Sequence, residues 1–206
     1  MKMTEAEFQR IYRYVKLHYG IDMSKKKEIM TGRLENYVVV HGYASYDAFM
    51  NALETDPTGH MEKRLIGMLT TNHTFFMREF EHMEYLSRVV LPELSKKEAK
   101  TKDLGIWCAA ASSGEEPYML AMLIKDYFGL DHANWDTTIL ATDVSAEILE
   151  QATRGIYTAD AIAPMPAQWK RRYFKACPDG LHYQVTDEIK KEILFRRFNL
   201  MSPFLF

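Results

Sequence analysis

The chain has 206 residues, 47% of them hydrophobic and 26% charged, with a net charge of −2. That length can bury a sizeable core in one large or two small domains, and the composition is that of an ordinary soluble globular protein. The near-neutral balance argues against a general nucleic-acid binder, and the two cysteines, Cys108 and Cys177, lack metal-ligand spacing and point to a reduced, cytoplasmic protein.

In chain order, the N-terminal MKMTEAEFQRIYRYV has no apolar signal core, and no later run is long enough to cross a membrane. Residues 4–69 read as four helices. Thr4 suits the cap of the first, with Glu7 completing a capping box, Phe8, Ile11, Tyr12 and Val15 forming its apolar stripe, and Gly20 ending it. Ser24 opens a second helix through about Val40, stopped by His41-Gly42, and Ser45–Leu53 and Gly59–Leu69 make the third and fourth. Lys25, Lys26, Lys27 and Arg33 fall on the second helix, as a solvated face or a docking surface for an acidic helical partner. The segment Thr71–Glu79, TNHTFFMRE, is too polar at Asn72, Thr74 and Arg78 for core and too aromatic at Phe75 and Phe76 for a linker. It is either a domain junction whose polar groups cap helix ends or a ligand segment in which the Arg78 guanidinium orients a carboxylate by a forked contact. A helix over Glu79–Leu94 and the polar stretch Ser95–Asp103 follow.

From Gly105 the pattern alternates. Strands over Gly105–Ala110, Thr138–Thr142 and Ile193–Phe198 interleave with helices over Pro117–Phe128 and Ala146–Thr153, which predicts a parallel sheet with crossover helices and an open edge at the first strand. The most informative stretch is Ile106–Leu123, IWCAAASSGEEPYMLAML: a strand, a turn of small residues, then two acids and a proline at a helix start. A turn that grips pyrophosphate offers backbone N–H groups and avoids acids, whereas Glu115 and Glu116 favour a nucleoside-like, cationic ligand without phosphates. S-adenosylmethionine, with its sulfonium and ammonium, fits. Asp143, closing the second strand in ILATDV, suits either ribose hydroxyls or the cap of the helix near Ser145. The histidines are scattered without metal spacing, Cys108 reads as packing, and no nucleophile elbow or P-loop is present. A nicotinamide oxidoreductase would want a glycine-rich turn that AAASSGEE lacks.

Taken in order, KKKEIMTGRL, TNHTFFMRE, IWCAAASSGEEPYMLAM, ILATDVSAEILEQATRGIY, KRRYF and EILFRRFNL resemble the chemotaxis receptor methyltransferases, the CheR family, over nearly the whole chain. The resemblance implies an α/β protein: a small all-helical receptor-recognition domain over residues 1–69, then a Rossmann-like S-adenosylmethionine methyltransferase domain over 70–206. It implies methylation of glutamate side chains on the cytoplasmic helices of chemoreceptors, with S-adenosylhomocysteine as product and no membrane insertion. Carried over by position, Asn72, Thr74 and Arg78 would line the cofactor and active site. Glu115 would hold the methionine end, Asp143 the ribose, and Asn199 and Leu200 would flank the adenine. Arg78 would position the reacting groups, and Lys25, Lys26, Lys27 and Arg33 would grip the receptor. The family continues past the Asn-Leu pair into a fourth strand with an Asn-aliphatic pair and a nearby Tyr, and into a small β-subdomain that contacts receptors. With the sequence ending in MSPFLF, the expectation is an incomplete α/β domain lacking one pocket wall and that subdomain. His73 and Met77 stand where other side chains are common in the family. A different reading is a non-catalytic module that binds S-adenosylmethionine or its product and docks on receptor helices.

Overall fold

The computed structural model describes residues 1–204. They form two compact units: one of Met1–Thr71 with Val144–Glu147 and the chain from Phe198, the other of Asn72–Asp143 with Ile148–Arg197.

The first unit is built on α1 (Glu5–Tyr19), α2 (Lys27–Val40), α3 (Tyr46–Glu54) and α4 (His60–Leu69). Its core gathers Phe8, Ile11 and Val15 from α1, Met30, Leu34 and Val38 from α2, Phe49 and Met50 from α3, and Leu65, Ile66 and Leu69 from α4. The capping box at Thr4 forms as expected, the Thr4 hydroxyl accepting from Glu7 N and Glu7 Oε2 accepting from Thr4 N at 2.8 Å. The other oxygen, Glu7 Oε1, accepts from Tyr46 N at 3.0 Å, so one buried carboxylate joins the starts of α1 and α3. Burial alone would raise this carboxyl, but the hydrogen bonds from Thr4, Asp47 and Tyr46 hold it below its usual value. Glu7→Ala should therefore destabilise the protein by about 2–4 kcal/mol in urea unfolding, since it strips acceptors from buried backbone donors. For a depressed acid the stabilisation is present above the unfolded value near 4.5 and is lost as pH falls through the lower folded one, so native protein should lose stability on acidification below about pH 5 and the variant should lose less.

Ser24 does not open α2. Asp22 Oδ1 accepts from Ser24 N at 2.9 Å, a local turn that delays the helix until Lys27. Lys25 and Lys26 consequently precede the helix, and only Lys27 and Arg33 lie on it. Ser45 does cap α3, accepting from Ala48 N at 3.0 Å. Gly59 takes a left-handed conformation before α4.

The second unit begins, after the loop from Asn72, with α5 (Phe80–Tyr85), a π-helical turn (Leu86–Val90) and α6 (Leu91–Lys97). Pro92 lacks the N–H that would bond one turn back, and the helix absorbs that loss in the π turn just before it. The helical run continues to Lys97, beyond the expected stop at Leu94, with Lys96 and Lys97 placed favourably in its last turn. The parallel sheet follows: β1 (Ile106–Cys108), α7 (Glu115–Phe128), β2 (Ile139–Asp143) and α8 (Ala146–Arg154).

Between α8 and the last strand lie elements that the sequence pattern did not show: β3 (Ile156–Thr158), α9 (Ala159–Ile162), α10 (Ala167–Tyr173), β4 (Phe174–Ala176), β5 (His182–Val185) and α11 (Asp187–Lys190). β6 (Ile193–Arg197) completes the described strands. β1, β2 and β6 pair in parallel in the order β1-β2-β6, in register Ile106 to Ile139 and Ile139 to Ile193, with β1 at an edge as expected. β3, β5 and β4 form a separate antiparallel sheet in the order β3-β5-β4. A small β-subdomain thus lies within residues 156–185, correcting the expectation that this sequence lacks one. Asp126 on α7 anchors α10, accepting from Trp169 Nε1 and Arg172 Nη1 at 2.7 Å each and from the Tyr173 hydroxyl. Among the described residues no helix is long and apolar enough to cross a membrane.

Candidate functional site

The site is organised by the turn between β1 and α7. Gly114 precedes α7 at φ 99°, and a Cβ there would stand 3.0 Å from Tyr157 Oη and 3.1 Å from both Ala152 Cβ and Tyr118 Cε2. Both the left-handed backbone and the missing side chain are required, because all three neighbours are held by packing. Gly114→Ala should cost about 2–4 kcal/mol in thermal or urea unfolding, combining left-handed strain with overpacking. Two residues earlier Ser112 is also left-handed, at φ 49°, and its N–H donates to Asp143 Oδ2 at 2.9 Å. The turn after β1 is thereby bonded to the acid that ends β2. A second tie is Ala111 N to Thr142 O at 2.8 Å.

Glu115, the first residue of α7, is 7% exposed. Burial raises its carboxyl above the ordinary value, opposed by the Ser113 hydroxyl, which donates to Glu115 Oε2 at 2.6 Å. Tyr157 Oη donates to Ser113 O at 2.7 Å, and burial, then the charge of Glu115, push its phenol upward, so it stays a donor at neutral pH. Glu116, by contrast, is exposed, with Oε1 3.8 Å from Cys108 Sγ. Burial first, and Glu116 second, push the Cys108 thiol up to about 12. The Ser112 hydroxyl oxygen is buried with no hydrogen-bond partner.

The Asn72–Glu79 loop is fixed to the same unit at its centre. Phe76 is fully buried, its ring 4.8 Å from that of Tyr157 and 5.8 Å from that of Phe174. Met77 N lies 3.0 Å from Met119 Sδ on α7. The loop closes through two left-handed residues without glycine's freedom, Met77 at φ 69° and Glu79 at φ 47°. Such strain is of order 1–3 kcal/mol per residue and gathers where geometry serves function. Arg78, between them, is exposed; its Nη1 donates to His73 O at 2.6 Å and its Nε lies 3.6 Å from Glu79 Oε1. Asn72 and Thr74 are half-buried.

Five of the residues expected to hold a ligand, Asn72, Thr74, Arg78, Glu115 and Asp143, therefore fall in one compact unit. Asn199 and Leu200 group with the helical unit instead: Asn199 Nδ2 donates to His18 O at 2.7 Å, and Leu200 is exposed. Of the basic residues, Lys25 and Lys26 are exposed, Lys27 Nζ pairs with Glu5 Oε2 at 2.8 Å, and Arg33 is used internally. Arg33 Nη1 donates to Leu69 O at 2.8 Å and Thr70 O at 3.0 Å, a cation on the last carbonyls of α4. Ser112, Ser113 and Tyr157 were not singled out from the sequence. The two serines carried a signal in their place directly before Gly114, whereas nothing near Tyr157 marks it as a partner of that turn.

Residues 6–70 match the family model described as CheR methyltransferase, all-alpha domain, and residues 72–205 match CheR methyltransferase, SAM binding domain. The chain is 36% identical over 206 residues to the chemotaxis protein methyltransferase of Borreliella burgdorferi, covering 98% of this chain and 72% of that protein. It is 31% identical over 201 residues to the chemotaxis protein methyltransferase of Listeria innocua, covering 97% and 73%. The corresponding protein of Escherichia coli is 29% identical over 206 residues, covering 98% and 68%. With both of its units matched and these relatives aligned along nearly its whole length, the chain belongs to the CheR family of methyltransferases.

Proposed function

We propose that this protein uses S-adenosylmethionine to methylate glutamate side chains on the cytoplasmic helices of chemoreceptors, working in the cytoplasm. The observation that carries the reading is the acid-lined turn, in which Glu115 is buried at a helix start and Asp143 is bonded to Ser112. A buried carboxylate met by the Ser113 hydroxyl and its own backbone N–H, with no cation beside it among the described residues, suits a ligand ammonium, and the unpartnered Ser112 hydroxyl suits a ligand polar atom. The residues present therefore fit the cofactor: Glu115 would hold its amino-acid end and Asp143 its ribose. Asn72 and Thr74 would line the cofactor beside Arg78, and Asn199 and Leu200 would flank its adenine.

When bound, the cofactor supplies a methyl group activated by an adjacent sulfonium. The remaining work is positional. An acceptor glutamate, with an unperturbed pKa of about 4.3, is already ionised at neutral pH, so no general base is required. Arg78 orients that carboxylate, and the strained loop around it fixes where the guanidinium sits. Residues 70–206 form the transferase portion, and residues 1–69 recognise the receptor through Lys25, Lys26, Lys27 and Arg33. Arg33 contributes there by holding the end of α4 as much as by its charge. Exposed Ile29, Val39 and Val40 on α2 add apolar surface suited to a helical partner.

The test is transfer of labelled methyl from S-adenosylmethionine to receptor-containing membranes, followed by mild base. Label released as methanol identifies a carboxyl ester and supports the reading. Base-stable label overturns the glutamate assignment, and binding of S-adenosylhomocysteine without any transfer favours the non-catalytic module.

A further inference from the structure

The side chain of Tyr157, on β3, is buried against the turn between β1 and α7, and its placement starts two residues earlier. Gly155 turns the chain out of α8 at φ 61°, and a Cβ there would stand 2.8 Å from Tyr118 Oη, which donates to Ala152 O at 2.7 Å. Pairing of Tyr157 with Tyr183 of β5 then holds the strand. The Tyr157 ring is boxed edge-on, by Phe76 of the Asn72–Glu79 loop at 75° and by Tyr118 of α7 at 6.2 Å and 87°. A para hydroxyl lies on the axis of its ring, so a ring boxed in this way delivers Oη to one point even when it flips. That point is 2.7 Å from Ser113 O, the carbonyl directly before Gly114. The Ser113 hydroxyl in turn donates to Glu115 Oε2 at 2.6 Å. All of these residues belong to the same compact unit.

We propose that Tyr157 is a positioning residue for the cofactor: its hydroxyl fixes the Ser113 peptide, and through it the start of α7 and the direction of the Glu115 carboxylate. This rests on the reading of Glu115 as the partner of a ligand ammonium. The bond to Tyr157 turns Ser113 O toward β3 and so sets the Ser113–Gly114 peptide plane. Gly114, at φ 99°, is the most freely turning residue of the stretch and does not hold that plane by itself. A charged contact needs its carboxylate held within about 0.5 Å, by neighbours whose own rotamers are locked, and Tyr157 is locked by its aromatic box. The same ring has a second duty, since Phe76 rests on it and anchors the loop that bears Arg78. One side chain thereby serves both ligand-bearing segments, its hydroxyl the turn and its ring the loop.

The experiment uses the full-length protein, with S-adenosylhomocysteine binding measured by calorimetry, amide exchange over residues 112–118 and 74–79, and urea midpoints to confirm folding. Tyr157→Phe keeps the ring and removes the bond: binding should weaken about five- to twentyfold, and exchange should speed in 112–118 alone. Tyr157→Leu removes the ring as well, and exchange should then speed in both segments. Ser113→Ala, at a half-buried position, breaks the next link without disturbing the aromatic box and should weaken binding about three- to tenfold. Glu115→Gln is the reference. Because Tyr157 acts through Glu115, Tyr157→Phe combined with Glu115→Gln should bind within about twofold of Glu115→Gln alone. A role confined to stability would instead lower the midpoint and leave the affinity of the folded protein unchanged. If Glu115→Gln loses binding while Tyr157→Phe and Ser113→Ala bind like the native protein, the positioning role is overturned and the ammonium reading stands. Should Tyr157→Phe lose its fold, Ser113→Ala decides alone. If Glu115→Gln binds normally, the ammonium reading itself is overturned. Losses that multiply in the double variant place Tyr157 outside the path to Glu115 and overturn the proposal.

Discussion

Arg78→Ala should reduce methyl transfer about a hundred- to a thousandfold, the range seen when one preorganised charged donor is lost from an active site. The fold should hardly notice. Arg78 is exposed, and its hydrogen bond to His73 O closes only its own loop, so the free energy of urea unfolding should stay within about 1 kcal/mol of native. Affinity for S-adenosylhomocysteine should fall by no more than about tenfold, because the other proposed cofactor residues remain. Arg78→Lys should recover little, since an ammonium keeps the charge but loses the planar fork that meets a carboxylate on two sides. Radiolabel transfer measured beside calorimetric binding separates these effects. Native transfer rates in Arg78→Ala would remove this residue from the chemistry.

Glu115→Gln should weaken S-adenosylhomocysteine binding by about a hundredfold, the consequence of removing one member of a buried charge pair. The amide is nearly isosteric and can still accept from Ser113, so the turn should survive. The pH profile carries the sharper signature. Burial raises the Glu115 carboxyl, so the ionised form is penalised in the free protein, and that penalty is relieved as pH falls through the raised folded value. Ligand affinity has the opposite sign: an ammonium needs the ionised acid, so binding should weaken as pH drops from neutral through that value. In Glu115→Gln this limb of the profile should be absent. An unchanged profile would assign the ammonium to another group.

The parts of this architecture that were readable from sequence are those in which a local rule and the tertiary structure demand the same residue. Gly114 is one: the turn needs a left-handed residue, and packing against Tyr118, Ala152 and Tyr157 needs the absence of a side chain. Thr4 with Glu7, Ser45, and the apolar strands β2 and β6 are others. What escaped notice was decided by competition. Ser24 is a good cap in principle, but Asp22 captures its N–H and the helix starts three residues later. β3, β4 and β5 are three or four residues long with mixed burial, too short to show an alternating pattern, and are held by pairing rather than propensity. Among the candidate site residues, Glu115 and Asp143 stood out by their place at strand–helix junctions. Tyr157 became visible only once folding brought its hydroxyl to Ser113, 44 positions away. The grouping of Val144–Glu147 with the helices has no sequence signature at all, because it depends on Arg64 arriving from a distant helix.

The raised Cys108 thiol bears on the fidelity of a methyl-transfer site. Thiolates are stronger nucleophiles toward alkylating agents than carboxylates, so a sulfur on the strand that leads into the acid-lined turn is a natural competitor for any activated methyl group. With its thiol held up to about 12 by burial and by Glu116, Cys108 stays a neutral thiol at pH 7. If the acceptor is the carboxylate proposed above, the burial that raises Cys108 keeps this thiol from competing with it for the methyl group.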